Sequence, residues 1–288
     1  MIPPGAETVP QALESARTGE APITGAADAT APVPILMYHA VTPAPAPAMR
    51  ELSVTPEAFA DQMAVLAARG FTPLTTAALA AAWRDGGPLP SRPVLITFDD
   101  GYAGVHRHAL PVLARYGHPA TLFAATGWLR GRHATGGAPD TMLGWDEIRE
   151  LAAAGVEIGG HSHRHPSLDA VGEERLWQEV ARCREIIAEE TGTAPESFAY
   201  PYGHSSGRVR RTVRALGFRQ ALAVRNALAE PRQGPYALAR LTVRRHTGIA
   251  EFARLVEGRG IGRTFARDRV LTKGYAMVRR TRQVVRRD

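Results

Sequence analysis

Two adjacent carboxylates, Asp99 and Asp100, and three histidines in five residues, His161, His163 and His165, are the groups of this 288-residue chain whose types and spacing could do chemistry. The acidic pair closes the apolar run Pro93-Val-Leu-Ile-Thr-Phe98 and is followed by Gly101. Ending a buried strand on two like charges is costly unless a cation sits there. Strand neighbours initially point apart, so one carboxylate could bind a metal ion while the other faces substrate or water. Asp-Asp-Gly is also good chemistry for a solvated turn. His161 and His165 would lie roughly 13 Å apart in extended chain, too far to share an ion. One helical turn would bring them within about 6 Å on one face, and that turn is the expectation. Imidazoles with a carboxylate suit zinc or a similar divalent ion and leave positions open for water. Such an ion polarises a carbonyl while the spare carboxylate serves as general base, which is hydrolysis of an amide or ester. A run of exposed loop histidines is the alternative, and His163 is expected to point away from the pair.

These groups need strands and helices to hold them. Val33 to His39 reads as a strand, and Thr55-Pro56-Glu57 as a helix start followed by Phe59, Met63 and Leu66 at helical spacing up to Gly70. Helices are expected over 76–83, 105–116, 145–154, 173–190, 208–216 and 249–256. Strands are expected near Phe71 and over 94–98, 119–124, 156–159, 198–200, 219–224 and 238–243. The glycine-rich loop over 127–141 is a plausible rim of a site. Alternation of this kind predicts a parallel sheet with crossover helices, in seven or eight units that suit a closed or nearly closed barrel. No Gly-rich phosphate loop follows the first strand, which argues against a dinucleotide fold.

Composition narrows the class. With 44% hydrophobic residues the chain can build one large α/β domain or two smaller ones, and no apolar run is long enough to span a bilayer. The single cysteine, Cys183, forms no internal disulfide. Residues 1–32 are rich in Ala, Pro, Thr and Gly and are expected to be disordered. The N-terminus lacks the layout of a secretory signal, so the expectation is a cytoplasmic chain, or an extracytoplasmic one whose leader is missing. The net charge of +7 belongs to the end of the chain, because residues 263–288 carry nine basic and two acidic side chains. Residues 261–288 are therefore expected to form a basic amphipathic tail that could touch anionic lipid or an acidic polymer, with a solvated appendage as the alternative. No nucleic-acid motif accompanies the charge.

Thr97-Phe98-Asp99-Asp100-Gly101 and His161-Ser162-x-x-His165 resemble the first two motifs of the polysaccharide deacetylases, the NodB-homology domain of carbohydrate esterase family four. Phe198-Ala199-Tyr200-Pro201-Tyr202-Gly203 resembles the third. The resemblance implies an α/β fold, a distorted (β/α)7 TIM-like barrel, as a single domain over 33–260. It implies Asp99 as general base and Asp100, His161 and His165 as ligands of a divalent ion, Zn2+ first, with Co2+ or Ni2+ as alternatives. The backbone N–H of Tyr202 would help to hold the oxyanion. Two departures stand out. Ala199 occupies the place of the arginine that tethers the base, and Arg240 is the candidate to replace it. The late Leu-x-His that supplies the acid is not clear, since His246 lacks the leucine. Leu36-Met37-Tyr38-His39 instead looks like the first strand of the biofilm poly-N-acetylglucosamine deacetylases, which makes His39 the expected general acid, ahead of His246.

Aromatic groups stack on sugars in carbohydrate clefts, so Trp145, Trp128 and Tyr202 are candidate contacts, with Tyr200 and Pro201 of the third motif; Trp145 starts a helix and is equally a candidate for the core. Trp83, Trp177 and Tyr116 sit at helical positions and are expected in the core. Together these readings predict a metal-dependent hydrolase that removes N-acetyl groups from amino sugars of a bacterial polysaccharide. The rivals are an esterase of O-acetylated sugars such as xylan, and a catalytically silent glycan-binding barrel.

Overall fold

The computed structural model describes residues 30–266. The first strand, β1 (Ile35–Tyr38), is buried throughout. A short parallel pair follows, β2 (Ala40–Val41) with β3 (Ser53–Val54). Helix α1 (Pro56–Ala68) starts where the Thr55 hydroxyl accepts from the Ala58 N–H, with proline at its first position and Glu57 in its first turn. Next come β4 (Thr72–Leu74), α2 (Thr76–Asp85) capped in the same way by Thr75, and the eight-residue β5 (Pro93–Asp100). One π-helical turn, Val105–Ala109, leads into α3 (Leu110–Tyr116), where a plain α-helix was expected. The order then runs β6 (Thr121–Ala124), α4 (Trp145–Ala153), β7 (Glu157–Gly160), α5 (Glu173–Thr191), β8 (Ser197–Ala199), α6 (Gly207–Ala215), β9 (Gln220–Leu222), β10 (Leu241–Thr242), α7 (Ile249–Val256) and α8 (Ile261–Thr264).

All pairings in the main sheet are parallel, in the order β10-β1-β5-β6-β7-β8-β9, with β4 beside the first half of β5. The edges β9 and β10 meet through the chain leading into β10. Leu222 and Leu238 form a parallel bridge, and Ala223 N–H donates to Leu238 C=O at 2.8 Å. The sheet is therefore a (β/α)7-type barrel with one narrow seam. Strands buried on both faces explain why β1, β5 and β6 read as continuous apolar runs rather than as alternating ones. The largest core cluster includes Tyr38, Phe59 and Phe98, whose rings pack at 5.3–5.7 Å.

The N-terminal ends of the strands are closed by α2 through a buried polar lattice. Thr76 N–H donates to Thr121 Oγ1 at 3.0 Å, and Ala77 N–H to Glu157 Oε2 at 2.8 Å. Gln220 Nε2 donates to Thr76 C=O at 2.5 Å and to Ser197 Oγ at 2.9 Å. The lattice leaves the opposite, C-terminal ends of the strands free for chemistry.

At the other end of the domain Phe265 is buried in the main core, so the globular part reaches past residue 260, the boundary expected from the sequence. The N-terminal stretch before residue 30 and the basic residues after 266 lie outside the described residues. Among the described residues no helix is long and apolar enough to cross a membrane. Glu257, after α7, accepts from Arg69 at 3.1 Å and from Arg92 at 2.6 Å, tying α7 to α1 and β5. Burial pushes its carboxyl up, but the two guanidinium groups outweigh this and leave it below its ordinary range. A depressed folded-state value gives stability that is present above the unfolded value and lost as pH falls through the folded one. Glu257→Gln is expected to lower stability by no more than about 1 kcal/mol at neutral pH and by nothing near pH 2. Urea melts at both pH values check this.

Candidate active site and metal centre

β5 delivers both carboxylates to the C-terminal mouth of the barrel. Its backbone turns at Asp100, whose φ of 73° lies in the left-handed region, so the neighbouring side chains diverge. Asp99 faces Arg240, just before β10. Arg240 Nη1 donates to Asp99 Oδ1 at 2.6 Å and Nη2 to Oδ2 at 2.8 Å, a two-pronged pair with Arg240 fully buried. Nη1 also reaches Thr97 Oγ1 at 3.4 Å, and Nε reaches Ala223 C=O at 3.5 Å. Burial drives the Asp99 carboxyl up, yet the Arg240 charge more than offsets it and holds the group below the ordinary carboxylate range. Asp99 is thus a buried anion held by a fixed counter-charge.

Asp100 faces the histidines. Its Oδ1 lies 3.2 Å from His161 Nε2 and 3.2 Å from His165 Nε2, and the two nitrogens are 3.2 Å apart. The donor atoms form an equilateral triangle, all three residues are buried, and no hydrogen-bond donor is aligned on Asp100 Oδ1. For bonds of about 2.0–2.1 Å, a tetrahedral ion needs ligand atoms roughly 3.3 Å apart. The residues fit such an ion. His161 Nδ1 donates to Ala199 C=O at 2.8 Å, which turns the Nε2 lone pair into the triangle. Burial raises the Asp100 carboxyl, but the two imidazoles outweigh it and hold it well below its ordinary range.

The histidines do not meet through a helical turn. Residues 161–166 form an irregular loop, and the approach is made by two left-handed residues, Ser162 (φ 64°) and His165 (φ 57°). Ser162 Oγ accepts from His165 N–H at 3.1 Å. Glu179 on α5 fixes the loop from outside, with its carboxylate accepting from Arg164 N–H at 2.7 Å and its C=O from His163 N–H at 3.0 Å. The His165 ring lies between Trp128, 4.3 Å away and tilted by 32°, and Tyr202, 4.8 Å away and edge-on. His163 turns away to Thr126 Oγ1 at 3.0 Å, as its neighbours' convergence requires.

The third motif brings Tyr202 to the rim. It is 60% exposed and sits at φ 59°, so Asp100, Ser162, His165 and Tyr202 all hold backbone that non-glycine residues avoid. Strain of this kind costs about 1–3 kcal/mol per residue and persists where the surroundings over-determine it. Gly203 follows because a Cβ there would lie 2.4 Å from Val224 Cβ. His39 leaves β1 on the same mouth. Burial lowers its basicity, partly opposed by the charges of Asp100 and Asp99, and its Nδ1 has no partner. His246 is instead an exposed residue 3.5 Å from Glu51.

Some expected contacts lie elsewhere. Trp145 is 6% exposed and packs in the main core at the start of α4, edge-on to His133. Tyr200 is fully buried, its hydroxyl donating to Tyr236 C=O, and Pro201 is buried beside it. None of these three offers a surface to a sugar; their neighbour Tyr202 does. Trp177, expected in the core, is 48% exposed on α5. Glu179 was not singled out by the sequence, because a glutamate in a long charged helix carries no signal of the loop it holds.

A family profile for polysaccharide deacetylase matches residues 86–221, the span that holds both carboxylates and the histidines. The chain is 26% identical over 213 residues to YxkH of Bacillus subtilis, covering 74% of this chain and 72% of that protein. It is 24% identical to the poly-β-1,6-N-acetyl-D-glucosamine N-deacetylase of Escherichia coli K12, where it covers 36% of that longer protein. In fold it is similar to the deacetylase PplD of Streptococcus pyogenes solved with acetate, with a TM-score of 0.71 and 22% identity over 79% of this chain and 99% of that one. With the barrel, the acidic dyad and the histidine loop in place, residues 86–221 match the polysaccharide deacetylase domain.

Proposed function

We propose that the protein is a metal-dependent hydrolase that removes N-acetyl groups from amino sugars of a bacterial polysaccharide, of the poly-β-1,6-N-acetylglucosamine type. The observation that carries this is the pairing of two carboxylates with opposite neighbours, Asp100 against two imidazoles and Asp99 against one guanidinium. The likeness to the Escherichia coli enzyme supports the choice of polymer. Asp100, His161 and His165 would hold the ion, which when bound supplies a Lewis acid for the acetyl carbonyl and an acidified water. Asp99 takes the proton of the attacking water at its carboxylate, kept anionic by Arg240. The Tyr202 N–H donates to the oxygen on which charge develops. His39 gives a proton to the departing nitrogen. Trp128 and Tyr202 flank the His165 ring at the mouth. Arg240 on Asp99 supports a working base rather than a silent binding barrel, since Ala199 alone would have left that carboxylate untethered.

Acetate release tests the substrate. β-1,6-linked N-acetylglucosamine oligomers are expected to be deacetylated at least about tenfold faster than O-acetylated xylan. The reverse order would make the protein an O-acetyl esterase. Metal removal is a second test. Dialysis against a chelator is expected to abolish acetate release and to lower the thermal midpoint, and Zn2+, Co2+ or Ni2+ to restore both. His161→Ala should lose about one ion per chain by elemental analysis.

A further inference from the structure

Only Ser162, His163 and Arg164 separate the two histidines of the donor triangle, and the turn is left-handed at Ser162 and again at His165. Non-glycine residues leave that conformation unless their surroundings hold them in it. The turn is held from two sides. From the chain leaving β6, Thr126 N–H donates to Ser162 C=O at 3.2 Å and Gly127 N–H to His163 C=O at 2.7 Å. From α5, a single residue takes the next two amides. His163 N–H donates to Glu179 C=O at 3.0 Å, and Arg164 N–H donates to Glu179 Oε2 at 2.7 Å.

A glutamate is unexpected at that place in the helix. α5 packs on the barrel through Leu176, Val180, Cys183, Ile186 and Ile187, and Glu179 lies in the same stripe, 5% exposed. An apolar residue would fill such a position without penalty, whereas a carboxylate there is costly unless it is bonded. Its nearest cation among the described residues, Arg175, stands off at 3.9 Å and is itself largely exposed. The short contact with the Arg164 N–H is therefore what compensates the buried charge, and a bond to an ionised acceptor is stronger than one between neutral groups. Among the described residues it is also the one side-chain tie that reaches the main chain of this turn from another element. The other ties from outside run from main chain to main chain.

We infer that Glu179 is a positioning residue for the metal centre: by fixing the Arg164 peptide it holds the His161 and His165 rings at ligand spacing before an ion binds. The inference rests on the functional reading above. Asp100 Oδ1 and the two Nε2 atoms already stand 3.2 Å from one another, so the donors are gathered by folding and not by the ion. Without the Glu179 carboxylate, the left-handed residues are free to relax and carry the His165 ring out of the triangle. The ligand-ready turn then becomes a minor population, and the apparent affinity for the ion falls by that fraction.

The test uses the full chain and Zn2+, read by competition with a chromophoric chelator. Glu179→Met, close in size but without an acceptor, is expected to weaken Zn2+ binding by about 10–100-fold. Acetate release by this variant should recover towards the wild-type rate when Zn2+ is raised to saturation. Glu179→Gln keeps an oxygen for the Arg164 N–H and should bind Zn2+ nearly as the wild type does. Arg175→Ala removes only the distant cation and should change nothing. Urea melts with and without Zn2+ separate positioning from packing. Lost packing weakens the ion-free and ion-bound chains equally. Lost positioning weakens the ion-bound chain further, by about 1.4 kcal/mol for each tenfold in affinity. Should the methionine variant not fold, Glu179→Asp, which keeps the charge and draws the acceptor back by one methylene, carries the same comparison. Unchanged Zn2+ affinity in the variant that folds, or equal weakening by glutamine, overturns the inference. The wild type separates the failures. Tight binding that the methionine variant matches sinks this inference alone, whereas a wild type that binds no divalent ion sinks the functional reading with it.

Discussion

Asp99→Asn is expected to lower acetate release by about 10²–10⁴-fold, the span that a positioned general base contributes, while the chain keeps its full complement of divalent ion. Asp100, His161 and His165 supply the donor triangle, and none of their contacts runs through Asp99. The substitution also removes the counter-charge of a buried guanidinium, so it is expected to cost about 3–5 kcal/mol of folding stability. The two losses are separable. A chain carrying Asp99→Asn together with Arg240→Met should regain most of the stability and none of the activity. Single-turnover acetate release, elemental analysis and urea melts read the three quantities. Near-wild-type release from the single variant would remove Asp99 from the chemistry.

Arg240→Met alone is the second large effect. It strands the buried Asp99 carboxylate without its guanidinium partner, again at about 3–5 kcal/mol. Asp99 then retains a proton, and acetate release should fall by a similar order to that of the direct variant, with ion content unchanged. Arg240→Lys distinguishes charge from shape. A lysine keeps the charge but has no planar fork, so it should restore stability in part while recovering little activity, because nothing fixes both carboxylate oxygens. Equal activity for lysine and arginine would reduce Arg240 to a counter-ion without a positioning role.

What the sequence made legible was local or chemically compulsory. β5 is a run of branched residues between proline and glycine, and the Thr55 and Thr75 caps announce α1 and α2 at the residues where they begin. The need for a cation beside Asp99 could be stated from the sequence, and Arg240, though 141 residues away, was the late arginine placed to meet it. The path of the histidine loop was not legible, because Ser162 and His165 adopt left-handed backbone without glycine, held there by Glu179 and by packing on α5. Trp177 departs from its expected place in the core for a related reason. Helical spacing tells which residues share a face, and only the neighbouring elements decide which face is covered. The core takes the start of α4, and among the described residues Trp177 on α5 stays 48% exposed.

The narrow seam between β9 and β10 has a mechanical consequence. It is bridged at Leu222 and Leu238, and the next tie across it is Arg240 itself, reaching Ala223 on one side and Asp99 on the other. The residue that keeps Asp99 ionised therefore also latches the barrel shut. Any breathing of the wall at this latch would loosen Asp99 first, so amide protons flanking the seam should exchange with solvent at the same free energy at which turnover fails on warming.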